Sequence, residues 1–125
     1  MLVFTDAAFA NNKDLLSQIR ALLVAANANN DANILHWVSV KCKRITRSVL
    51  ASELLGIVHG FDIAYLVKTT LDLILNKDIP LIIYTDSKSL YNCLVKLGIM
   101  QEKRLIIDVI SMREAYKRRE IAQVK

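Results

Sequence analysis

Cysteine is scarce in this 125-residue chain: Cys42 and Cys93 stand alone, with no second cysteine or paired histidine beside either. That pattern does not build a zinc site and reads as two reduced thiols of an intracellular protein. Long apolar runs are also lacking, none approaching the ~20 residues of a membrane span, so no membrane partner is expected. No basic lead precedes the first apolar run, so no signal peptide is expected. Internal repeats and low-complexity linkers are absent, and the length is that of one domain able to bury a core. Charged residues are only 23% against 54% hydrophobic, which excludes a disordered chain. Acids are in deficit: 12 Asp and Glu face 17 Lys and Arg, for a net charge of +5. The basic residues cluster as Lys41, Lys43, Arg44 and Arg47 and again as Lys117, Arg118 and Arg119. Such a balance favours a polyanionic partner, nucleic acid being the commonest, or is simply solvated surface.

The most informative stretch is Pro80–Leu90, PLIIYTDSKSL. Leu81, Ile82, Ile83 and Tyr84 form an apolar run too short for a helix and rich in strand formers. After Thr85-Asp86-Ser87, a helical spacing takes over at Ser89, Leu90, Cys93, Leu94 and Leu97. Asp86 is thus expected at the carboxyl end of a buried strand where a helix begins, the position at which ligands collect in open α/β sheets. Leu2-Val3-Phe4-Thr5-Asp6 repeats the signature, an apolar run ending in Thr-Asp.

In chain order, Met1–Asp6 reads as the first strand and Ala10–Asp14 as a polar turn. Ser17–Ala26 is strand or helix by composition. The Asn- and Asp-rich turn at 27–33 makes a hairpin the economical reading, with Ile34–Val40 as the third strand. A long helical pattern then runs from near Thr46 to near Asn76, with Leu50, Leu54, Ile57, Val58 and Phe61 on one stripe and Thr46 or Ser48 as cap. Gly56 and Gly60, one turn apart, mark either close helix packing or a break. A strand over Pro80–Asp86 follows, then a helix from Ser87 to Leu97 ended by Gly98. A further helix spans Gln101–Tyr116, burying Leu105, Ile106, Val109, Ile110, Met112 and Arg113, and a last strand begins in Glu120–Lys125. The order βββ-α-β-α-α-β predicts an α/β protein with a mixed five-stranded sheet: an antiparallel meander of three strands plus two parallel strands, with helices packed on it. Strands one and four are expected to be parallel, joined by a right-handed crossover.

That topology carries a chemical expectation. Adjacent parallel strands one and four bring Asp6 and Asp86 side by side, and the helix crossing them carries Glu53 within its apolar stripe. A carboxylate on such a face is costly unless paired or metal-bound, the alternative being a side chain that snorkels to solvent. With no fixed cation among them, three converging carboxylates need a divalent ion to coexist. Oxygen ligands suit Mg²⁺ or Mn²⁺, and two such ions can stabilise the attacking and leaving oxygens of a phosphodiester.

VFTDAAF, TRSVLASE and IIYTDSKSL resemble the ribonuclease H domain of copia-type retrotransposon polyproteins, especially fungal copies, and the likeness runs through essentially the whole chain. ILHWVSVKCKRITRSVLASE is similar to the strand, basic turn and glutamate-bearing helix found there. The resemblance implies a ribonuclease H-like fold and metal-dependent hydrolysis of the RNA strand of RNA–DNA hybrids during reverse transcription. It implies two Mg²⁺ or Mn²⁺ ions in an intact family member, with Asp6 bridging both, Glu53 helping to hold one and Asp86 holding the other. The reverse transcriptase portion of a polyprotein is an implied partner, and the implied location is the cytoplasm, in a virus-like particle, or the nucleus. The family has a fourth acid, an aspartate just after the last strand. Asp108, mid-helix, does not match it, and the chain is read as a domain lacking that C-terminal segment. Family members also tend to have glycine where this chain has Arg20, read as surface-facing or as a mark of sequence decay. The alternative function is an inactive retroelement-derived fragment that keeps the fold and binds nucleic acid or protein. A third is a non-nuclease α/β domain whose aspartates cap helices.

Of the remaining residues, Lys41, Lys43, Arg44 and Arg47 precede the Glu53 helix and are the candidate phosphate contacts. His36 and His59 read as packing or surface residues and Trp37 as core rather than a base-stacking platform. Ser87 and Ser89 read as helix caps, since no histidine is placed to activate either as a nucleophile.

Overall fold

The computed structural model describes residues 1–9, 16–42, 48–95 and 105–125. Its elements are β1 (Leu2–Ala8), β2 (Gln18–Ala26), β3 (Ala32–Lys41), α1 (Val49–Leu75), β4 (Ile82–Tyr84), α2 (Lys88–Leu94), α3 (Ile106–Lys117) and β5 (Gln123–Val124). The sheet order is β3-β2-β1-β4-β5. β1, β2 and β3 pair antiparallel, while β4 runs parallel to both β1 and β5. This is the expected element order and the expected mixed sheet. The anticipated turn at 10–14 lies outside the described residues. The second polar turn is held by Asn27, whose Oδ1 accepts from the backbone N–H groups of Asn29 and Asp31.

Strand alternation decides which face is buried. Val3, Ala21 and Leu23 point towards α1, which brings Leu54 and Ile57 down onto them; Leu81, Ile83 and Leu90 are also fully enclosed in the core. Ser48 caps α1 by accepting from Ala51 N–H, and Asn76 ends it in the left-handed conformation at φ 51°. The helix is unbroken through both glycines, so the close-packing alternative is the right one. A Cβ on Gly60 would lie 2.8 Å from Thr5 Cγ2, and one on Gly56 would lie 3.5 Å from the Asp6 carbonyl oxygen. α1 is long and apolar enough to cross a membrane by length and composition, and half of its most apolar window is buried within the protein.

Several details differ from the sequence expectation. β1 continues past Asp6 to Ala8. β4 occupies only Ile82–Tyr84 of the anticipated Pro80–Asp86. At its far end Thr85 Oγ1 accepts from Ser87 N–H and turns the chain, and Ser87 then caps α2 by accepting from Leu90 N–H. Ser89 lies inside α2 and is not a cap. The anticipated end of that helix near Gly98 lies outside the described residues. In α3 the buried line is Val109, Met112 and Ala115, continued by Leu105 just ahead of the helix. Ile106 and Ile110, expected inside, are 38% and 52% exposed. They fall to the side of this narrow i, i+3/i+4 stripe, so their helical spacing does not bring them onto the core. Arg113 instead donates from Nε to the Cys93 carbonyl oxygen at 2.8 Å. Trp37 is not core: it is 71% exposed. It sits on edge strand β3 opposite Leu22, on the sheet face turned away from α1. Phe4 and Tyr84 stack on that same face with ring centroids 4.8 Å apart.

Candidate metal centre

Three elements deliver the three acids. Asp6 comes from β1, Glu53 from the second turn of α1, and Asp86 from the turn between β4 and α2. One carboxylate oxygen from each lies within 4.8 Å of the others. The parallel pairing of β1 with β4 places the two aspartates at the same sheet end, and the glycine contacts seat α1 close enough for Glu53 to reach them.

Glu53 does not snorkel. It is 5% exposed, and its Oε2 is buried with no hydrogen-bond partner among the described residues. Burial pushes its carboxyl up to about 7; the charges of Asp86 and then Asp6 push the same way, and a hydrogen bond from the Ala7 backbone opposes them. A buried carboxylate with an orphaned oxygen, clustered with two further carboxylates, suits a hard divalent cation. Asp6, Glu53 and Asp86 fit Mg²⁺ or Mn²⁺ in kind and in spacing.

The expectation that no fixed cation stands among the acids needs correction. Arg20 is the direct cross-strand partner of Asp6, and its Nη1 donates to Asp6 Oδ2 at 3.3 Å. Both side chains are about half exposed, at 51% and 49%. The sequence carries no local signal for this pair, because only the hairpin register decides which β2 residue faces Asp6.

Of the candidate phosphate contacts, Lys41 is described, while Lys43, Arg44 and Arg47 lie outside the described residues. Lys41 is exposed at the end of β3, in the cross-strand row of Ala8 and Gln18, at the same sheet end as Asp6. It lines a cavity of about 410 Å³ with Cys42, His59 and Asp62. His59 Nε2 is buried with no partner among the described residues, and His36 is exposed on β3. The second basic group lies elsewhere: Arg119 lines a cavity with Lys68 and Pro80, ahead of β4 rather than beyond it. Asp108 sits in the first turn of α3 and is not a member of the acidic cluster. Both cysteines are free and buried.

No family model and no curated protein sequence matches the chain. Solved structures do. LC11-RNase H1, isolated from compost by a metagenomic approach, superposes with a TM-score of 0.72 at 15% identity, over 98% of this chain and 79% of its own. The chain has the ribonuclease H fold. The same LC11 protein in complex with an RNA/DNA hybrid gives a TM-score of 0.69 at 13% identity, covering 98% of this chain and 80% of that one. The PFV RNase H domain gives 0.60 at 14% identity, over 99% of this chain and 76% of its own. On the ribonuclease H fold seen here, all three acids stand at one end of the central β1–β4 pair.

Proposed function

We propose that this chain is a ribonuclease H-type domain of a copia-type retroelement, hydrolysing the RNA strand of RNA–DNA hybrids with Mg²⁺ or Mn²⁺ held by Asp6, Glu53 and Asp86. The observation that carries this reading is that buried Glu53, with an oxygen unpartnered among the described residues, clusters with two aspartates on a ribonuclease H fold. A divalent ion held there supplies Lewis-acid stabilisation of the charge that develops on the phosphodiester oxygens. The chain's own residues do the positioning. Burial and the Ala7 backbone contact hold Glu53 in place, β1 fixes Asp6 on the sheet, and exposed Asp86 forms the solvent-facing side where a polyanion can approach. The net charge of +5 draws that polyanion in, and Lys41 stands two strands away at the same sheet end. The hybrid-bound LC11 structure supports the substrate class, and the PFV RNase H neighbour together with the motif resemblance supports a retroelement setting.

Residues 1–125 are taken as one domain. A second reading, an inactive fragment that still binds hybrid, is favoured by the Arg20–Asp6 ion pair at the site. Cleavage of a labelled RNA–DNA hybrid in Mg²⁺ and Mn²⁺ separates them, comparing wild type with Asp86→Asn. The enzyme reading expects metal-dependent cutting that the mutant loses. Hybrid binding without cutting at high protein concentration supports the fragment.

A further inference from the structure

We propose that Arg20 sets the cation affinity of the acidic cluster: it is the resident counter-ion of Asp6, and a divalent cation must compete with it. This rests on reading Asp6, Glu53 and Asp86 as a metal site.

The geometry makes the competition direct. Arg20 and Asp6 face one another in the β1–β2 register, so the guanidinium is tethered beside the carboxylate by the sheet and not by a flexible loop. Its Nη1 reaches Asp6 Oδ2 at 3.3 Å, on a residue that also brings an oxygen within 4.8 Å of Glu53 and Asp86. The guanidinium's positive charge cancels one of the three carboxylate charges the cluster can offer, lowering the field that draws in a divalent cation. Because both partners are about half exposed, solvent weakens their attraction, and a divalent ion can displace the arginine rather than being shut out.

A purely structural role for Arg20 is poorly supported by its surroundings. The β1–β2 pairing extends from Leu2↔Val24 to Ala8↔Gln18 without needing a side-chain contact. The neighbouring β2–β3 rows carry their own tie, Gln18 Nε2 donating to Ser39 Oγ at 2.9 Å.

The test is calorimetric titration of Mn²⁺ into metal-free wild type, Arg20→Gln, Arg20→Ser, Arg20→Lys and Asp86→Asn, with circular dichroism confirming that each is folded. Removing one unit charge beside a divalent ion in a partly solvated site is expected to tighten Mn²⁺ binding about tenfold in both neutral Arg20 variants. Arg20→Lys, which keeps the charge, should stay near wild type, and the gain in the neutral variants should shrink as KCl is raised. Asp86→Asn should lose binding. If the neutral variants bind Mn²⁺ no tighter than wild type while Asp86→Asn loses it, the metal site stands and the role of Arg20 is overturned. If wild type and the Arg20 variants bind no Mn²⁺, or Asp86→Asn binds it as well as wild type, the metal reading fails and this inference with it.

Discussion

Glu53 and Asp86 bring carboxylate oxygens to within 4.8 Å of one another, the first buried under α1 and the second exposed beyond β4. The two cannot both be charged cheaply without a cation between them. Glu53 bears the strain, being the desolvated partner.

A pH dependence with a defined sign follows. The Glu53 carboxyl is raised from 4.5 to about 7 in the metal-free fold, so between those values the native state holds a proton that the unfolded chain has released. The stability this group contributes is complete below about pH 4.5 and is lost as pH rises through about 7. In chelator, Glu53→Gln should remove that loss and stabilise the protein at pH 8 by roughly 1–3 kcal/mol. Urea melts of both proteins at pH 5 and pH 8 check this. Equal pH dependence in the two would remove Glu53 as its source.

The two glycines of α1 should respond differently to alanine. At Gly60 the new Cβ would meet Thr5 Cγ2 at 2.8 Å, and buried Thr5 is held by the sheet, so Gly60→Ala should cost about 1–3 kcal/mol. At Gly56 the nearest atoms are at 3.5 Å and 3.7 Å, ordinary contact, so the gain in helix propensity should leave Gly56→Ala neutral or up to about 1 kcal/mol more stable. Thermal melts of the two variants should move apart. A shift of the same sign and size in both would contradict the packing described here.

Much of this was legible because it depends on short-range pattern. The two Thr-Asp run ends, at Asp6 and Asp86, mark the ends of apolar runs that became β1 and β4. The helical stripe through Leu54 and Ile57 places Glu53 on the sheet side. Once β1 and β4 are neighbours, the convergence of the three acids follows. Hairpin register was not legible. A loop centred on Asn12 would set Asp6 opposite Gln18, whereas the observed pairing sets it opposite Arg20. That two-residue difference keeps the same sheet face but changes the partner, turning an uncompensated carboxylate into one half of an ion pair. Trp37 lies outside the core for a different reason: an alternating strand names two faces but not which of them another element covers. In α3, Ile106 and Ile110 were misplaced because a helical repeat defines an arc, and only packing decides how much of it is buried.

The central claim is that Asp6, Glu53 and Asp86 form a divalent-cation site. The measurement that tests it most directly is the melting temperature of wild type and Asp86→Asn, in chelator and in excess Mn²⁺. Mn²⁺ should raise the wild-type value clearly, since a ligand that binds only the native state stabilises it. Asp86→Asn should melt at or above wild type in chelator, relieved of its repulsion with Glu53, and gain nothing from Mn²⁺. An Mn²⁺ shift of equal size in both proteins, or a mutant that melts below wild type in chelator, would contradict a cation site at these three acids.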